Sequence, residues 1–162
     1  MAVVRSWSFA LFMGLVVLAH FVVRLAIGVG PDAPDLLTVA ALLGARRVSG
    51  AQAAALGLLL GVLDDALTVV SFGSAAVALT IVCFLGSRSR DMFEGDSLLF
   101  LFIYVFLGKW LRDALVFLLS STTRGADTAA ELFIAMPLAA LLAAGAGLLV
   151  MILYRASTDE RS

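Results

Sequence analysis

The sequence predicts an all-α, polytopic membrane protein: a single integral domain over residues 1–162, folded as a six-transmembrane-helix bundle. Three observations predict it. Hydrophobic residues make up 62% of the chain and charged residues 14%, whereas a soluble domain carries roughly 45–50% and about 25%. The mean hydropathy is +1.09, and a body of this size has too little interior to hide that much apolar surface from water. The apolar residues also fall in runs divided by short charged or proline-marked turns, as repeated membrane crossings require.

The first span covers about 7–29. Residues 6–23 carry no formal charge, and the segment Pro31-Asp32-Ala33-Pro34-Asp35 ends the run, because proline lacks an N–H and restricts its predecessor. Arg5 followed by this run fits the start of a signal peptide, but no clean cleavage site follows and Arg24 interrupts its tail. The second span, 35–45, closes at Arg46-Arg47; a run this short either crosses or dips into the bilayer, so five spans is the alternative count. The third covers 50–68 and includes Asp64 and Asp65. The turn residues at 71–74 precede the fourth, 73–87. A polar stretch, 88–96, leads to the fifth span, 97–120, which is aromatic-rich and interrupted by Lys109, Arg112 and Asp113. The polar segment 121–130 leads to the sixth, 131–154.

Orientation follows from the basic residues of the loops. With the amino terminus inside, Arg5, Arg46, Arg47, Arg88, Arg90, Arg155 and Arg161 face the cytoplasm and Arg124 alone faces out. Both termini are then cytoplasmic. The outer loops are acidic, with Asp32, Asp35, Asp127 and Glu131.

Ionisable groups inside a span cost about 2.5–3.5 kcal/mol each on insertion scales, so each needs a reason. At about 1.5 Å of rise per residue, His20, Arg24, Asp64, Asp65, Lys109, Arg112 and Asp113 all fall roughly 18–26 Å above the inner ends of their helices. Arg24, Lys109 and Arg112 balance Asp64, Asp65 and Asp113, which predicts a neutral polar seam where spans one, three and five meet. Asp64 would be answered by Arg112 or by Arg24. Gly57, Gly61 and Asp64 share one face of span three, the glycines permitting close helix approach. The alternative for Arg24, Asp64 and Asp65 is that they mark helix ends, with side chains reaching for headgroups.

The remaining features read as packing. Ala139, Ala143 and Gly147 form a small-residue stripe for helix contact, within the fold or against a partner. Pro137 should kink span six. Phe100, Phe102, Phe106 and Trp110 read as lipid or packing contacts, Cys83 as a buried small residue, and His20 as a hydrogen-bonded neighbour of the seam.

Several function classes are excluded. The charge of -1 provides no basic face for nucleic acid. One histidine and one cysteine make neither a His-based metal cluster nor an internal disulfide. Asp64 and Asp65 point about 100° apart on a helix and are not a facing aspartyl pair. Asp64 with Asp113 is the single candidate dyad, and Lys109 and Arg112 beside it oppose a shared proton. No nucleophile elbow, HExxH, Walker or dinucleotide motif is present. The expectation is a non-enzyme without metal or cofactor.

The order of landmarks is distinctive. Pro34-Asp35-Leu36-Leu37 precedes the basic turn Arg46-Arg47; Gly57-Leu58-Leu59-Leu60-Gly61-Val62-Leu63-Asp64 follows, and then Phe72-Gly73. This resembles the rod shape-determining protein MreD family, with Ser71-Phe72-Gly73 in place of the family's Pro-Leu-Gly turn. The resemblance implies a bundle similar to the six-helix substrate-binding subunits of energy-coupling-factor transporters. It also implies a non-enzymatic subunit of the bacterial inner membrane that serves the cell-elongation complex. Its partners would be the transmembrane and juxtamembrane part of MreC, the MreB filament, RodA and a class B penicillin-binding protein, in support of peptidoglycan synthesis and rod shape. The carry-over covers Pro34, Asp35, Gly57, Gly61, Asp64 and Gly73. The rival reading is a small-molecule-binding membrane subunit of a vitamin-type transporter, with a ligand in the polar seam.

Overall fold

A computed structural model describes residues 2–27, 35–67, 72–89, 97–120 and 131–159. The described residues form six helices and no strand. These are α1 (Ala2–Ile27), α2 (Leu36–Ala45), α3 (Gly50–Ala66), α4 (Ser74–Arg88), α5 (Leu98–Leu119) and α6 (Met136–Asp159), the last preceded by a π-helical turn, Glu131–Ala135. The helices fall within a few residues of the apolar runs, because each run ends at a charge, a cap or a proline. Two of them, within α1 and α6, are long and apolar enough to cross a membrane.

The helix ends have local causes. Asp35 caps α2 by accepting the Thr38 amide at 3.0 Å and its hydroxyl at 2.6 Å. Ser49 and Gln52 form a reciprocal capping box at the head of α3. Gly73, with φ 101°, makes the left-handed turn into α4 that an L side chain would resist. Just before Pro137, the residue expected to kink this span, stands the π-helical turn Glu131–Ala135. A proline that far into a helix clashes with the carbonyl four residues back, and a widened turn relieves the clash.

The shortest helix is the hub. α2 packs against α1, α3, α4, α5 and α6, while α3 pairs with α4 and α5 with α6. Leu37, Ala41 and Ala45 recur at four-residue spacing and enter one apolar cluster with Ala53, Leu79 and Cys83. Val39, Leu42 and Leu43 enter a second with residues of α1, α5 and α6, among them Phe9, Tyr104 and Tyr154. Hence the segment 35–45 is an all-round buried core helix, which explains why it shows almost no polar face.

Glycine sets the α3–α4 distance. A Cβ on Gly57 would stand 2.7 Å from the Leu79 carbonyl carbon, and one on Gly61 2.7 Å from the Ala75 carbonyl oxygen. Backbone on backbone leaves no room for a side chain, so the two helices meet along this glycine row. Of the small-residue stripe of α6, Ala143 is fully buried, Gly147 faces Val105 and Val39 and Ala139 is half-buried, while Ala140 and Ala144 beside it are fully buried.

The outward surface is apolar. On α1, Trp7, Leu11, Leu15, Leu18, Val22 and Leu25 are exposed, and Phe133, Ile134, Leu138, Leu149 and Leu153 are exposed around α6.

Candidate functional site

At the end of the bundle where α2 begins, six charged side chains from four helices join into one network. Arg112 of α5 is its centre. Its Nη2 donates to Asp64 Oδ2 at 2.5 Å, and its Nη1 donates to Asp35 Oδ2 at 2.7 Å and to Asp113 Oδ1 at 3.4 Å. Lys109, one turn earlier on α5, reaches Asp113 at 2.6 Å and Asp35 at 3.1 Å. Arg24 of α1 donates to the other oxygen of Asp64. Arg112, Lys109, Asp35 and Asp64 are buried or nearly so, and Arg24 is the most open member, its side chain 31% exposed.

Three cations, Arg24, Lys109 and Arg112, stand against three carboxylates, Asp35, Asp64 and Asp113, so the network is formally neutral. Buried charges persist when each has opposite charge and hydrogen bonds around it. The spacing of Lys109, Arg112 and Asp113 on α5 puts all three on one side of that helix. Gly57 and Gly61 stand on the α4 side of α3, at the tight contact, with Asp64 one turn beyond them.

The seven sequence-derived candidates therefore divide into two groups. Arg24, Asp64, Lys109, Arg112 and Asp113 come together in the network, and Gly57 and Gly61 form the α3–α4 contact. Asp64 is answered by both Arg24 and Arg112, not by one of them. Spans one, three and five do converge in their charges, but the packing between them runs through α2.

Two expectations need correction and one needs an addition. Asp35 is not an outer-loop residue: it heads α2, whose start lies within the bundle, and its carboxylate sits in the network. Asp65 lies near enough to act on the charge of Arg112, but it has a second role that was not expected, because its carboxylate is turned to the head of α4. There it accepts the Ala75 amide at 3.1 Å and the Ala76 amide at 2.9 Å, the otherwise unsatisfied N–H groups of a helix start. His20 stands one turn before Arg24, with its ring against Phe21, but its Nε2 is buried without a hydrogen-bond partner among the described residues. Asp35 was detectable in principle, since an aspartate three residues before a threonine at the head of an apolar run is a capping signal.

The opposite end of α2 carries a second polar feature. Arg46 lies over the Phe100 ring at 4.9 Å and the Tyr104 ring at 5.4 Å. Arg47 lies over Phe9 at 3.5 Å and Tyr154 at 5.7 Å. The Tyr104 hydroxyl donates to the Leu42 carbonyl at 2.9 Å, tying α5 to the last turn of α2.

As to chemistry, Arg112 stands between Asp64 and Asp113, the one candidate acid pair, and hydrogen-bonds to both. No group of three or more His, Cys, Asp or Glu is placed to hold a metal ion among the described residues. The arrangement is one of mutual neutralisation. The class that fold and site define is an all-helical protein with two helices fit to cross a membrane and a buried ion network joining four helices. No family model, curated protein or solved structure matches the chain.

Proposed function

We propose that this chain is a non-enzymatic scaffold subunit of the bacterial inner membrane, of the MreD type, that docks MreC within the cell-elongation complex. One observation carries the reading: the charged side chains of the network are paired with one another. Their role is then to hold helices together, and the working surface left to the protein is its apolar exterior. The landmarks of the resemblance fit that role, since Asp35 and Asp64 enter the network and Gly57 and Gly61 the α3–α4 contact.

In this reading all six helices cross or enter the bilayer. α5 does so in spite of Lys109, Arg112 and Asp113 because their charge is compensated inside the bundle and not offered to lipid. The short helices α2 and α4 are bordered by longer ones, and the basic end of the molecule faces the cytoplasm. An apolar groove on the exterior receives the transmembrane helix of MreC, and the complex with MreB, RodA and the class B penicillin-binding protein supports peptidoglycan synthesis.

Co-expression with MreC and purification in mild detergent tests the proposal. MreC should co-elute and raise the melting temperature of this chain. Stabilisation by one particular small metabolite, with no retention of MreC, would replace the scaffold by a solute-binding subunit.

A further inference from the structure

The two ends of α2 treat their charges differently. At the network end every cation meets carboxylates. At the other end Arg46, Arg47 and Arg88 each lie across an aromatic ring, Arg88 over Phe84 at 5.5 Å. Asp35 and Arg46 are 11 positions apart on α2, which separates the two ends by about 16 Å.

Arg46 is the most built of the three. It is half-buried, held from below by Phe100 and Tyr104, which stack on each other at 6.1 Å. Tyr104 is itself fixed by its hydrogen bond to Leu42. Stacking occupies the face of a guanidinium and leaves its N–H edge free, and that edge is the part that matches phosphate oxygens in pairs. Arg46 Nε is buried without a hydrogen-bond partner among the described residues, so the outer Nη groups are the part of the fork that a phosphate would meet, and neither Arg46 nor Arg47 meets a carboxylate among those residues.

We infer that Arg46, stacked on Phe100 and Tyr104 and flanked by Arg47 on Phe9 and Tyr154, is a binding site for the phosphate of an anionic membrane lipid. The inference rests on the membrane-embedded reading given above. It assigns the site to the basic end of the bundle, remote from the ion network, and it goes beyond the docking of MreC. A lipid is the source favoured over a free anion because the exposed surface beside the site is apolar, with Trp7 69% exposed, so acyl chains have a surface to lie on.

The test uses the full chain in neutral detergent, with its melting temperature followed by tryptophan fluorescence. Phosphatidylglycerol should raise the midpoint about 5 °C more than phosphatidylcholine does. Arg46→Gln should reduce that difference below about 1 °C, while Arg88→Gln, which removes the same charge, should leave most of it. If Arg46→Gln does not fold, Arg46→Lys decides: it keeps the charge but not the planar fork, and should lose more than half of the difference. Equal effects of the two lipids, or equal losses in the Arg46 and Arg88 variants, would overturn the site. Inorganic phosphate reproducing the whole shift would overturn the lipid as its source. Alkaline carbonate extraction of the membrane fraction, run in parallel, tests the embedded reading by itself, so the two failures are distinguishable.

Discussion

Arg112 on α5 donates to Asp35 at the head of α2 at 2.7 Å, across 77 positions of sequence. Through the same guanidinium α5 also reaches Asp64 of α3. One side chain thus joins the hub helix to two of its neighbours, and removing it takes the central cation from Asp35, Asp64 and Asp113 at once, leaving Asp64 to Arg24 and Asp35 to Lys109.

Arg112→Ala should therefore be the most damaging change in the network, costing about 3–5 kcal/mol, as when one partner of a buried pair is deleted. A cycle with Asp64→Ala measures the coupling. The double variant should be less destabilised than the sum of the singles, by about 1 kcal/mol or more. Strict additivity of the melting temperatures in detergent would remove the pairing.

Arg24→Ala should cost less than Arg112→Ala. The Arg24 side chain is 31% exposed against 11% for Arg112, and solvent screening weakens an open pair. Asp64 would also keep Arg112 as its partner. The same melting experiment ranks the two, and a larger loss for Arg24→Ala would contradict the buried position of Arg112.

Two glycine substitutions should have opposite signs. Gly61→Ala places a methyl group against the backbone of α4 and should destabilise by about 1–3 kcal/mol. Gly14→Ala meets nothing within 4 Å and should be neutral or stabilising by up to about 1 kcal/mol, since alanine is the better helix former. Thermal unfolding of the two variants side by side checks the sign.

Asp65→Ala should loosen the start of α4, at a cost of about 1–2 kcal/mol for a lost cap, and it also removes one of the negative charges that act on Arg112. Hydrogen exchange provides the specific readout. The amides of Ala75 and Ala76 should exchange faster in the variant, while those in the middle of α5 should not.

Cys83 is fully buried among residues of α2, α3 and α4. A maleimide should fail to label it in the folded protein and label it fully once the bundle is denatured. Rapid labelling of the folded protein would place α4 differently from the packing described.

Helix limits were legible in the sequence because each is a local matter of an apolar run ended by a charge, a cap or a proline. The approximate height of Arg24, Asp64, Lys109, Arg112 and Asp113 was legible too, since it needs only the rise per residue. The part played by Asp35 was not. Its position beside Pro34 looks like a loop until the head of α2 is known to lie inside the bundle. The cap that Asp65 gives to α4 was not legible for the same kind of reason, as it depends on which helix packs beside that side of α3.

By itself, then, the sequence determined that the chain is helical, where its helices run, and that oppositely charged groups lie at one level along them. Tertiary structure alone decided that the shortest helix is the hub, that Asp35 enters the charge network and that Asp65 caps α4. It also decided that Asp64 serves two arginines. The reason is physical: helix formation and depth depend on neighbours a few residues away, but the partner of a charge depends on which faces of separate helices are brought together, and that is settled only when α2 is packed on every side.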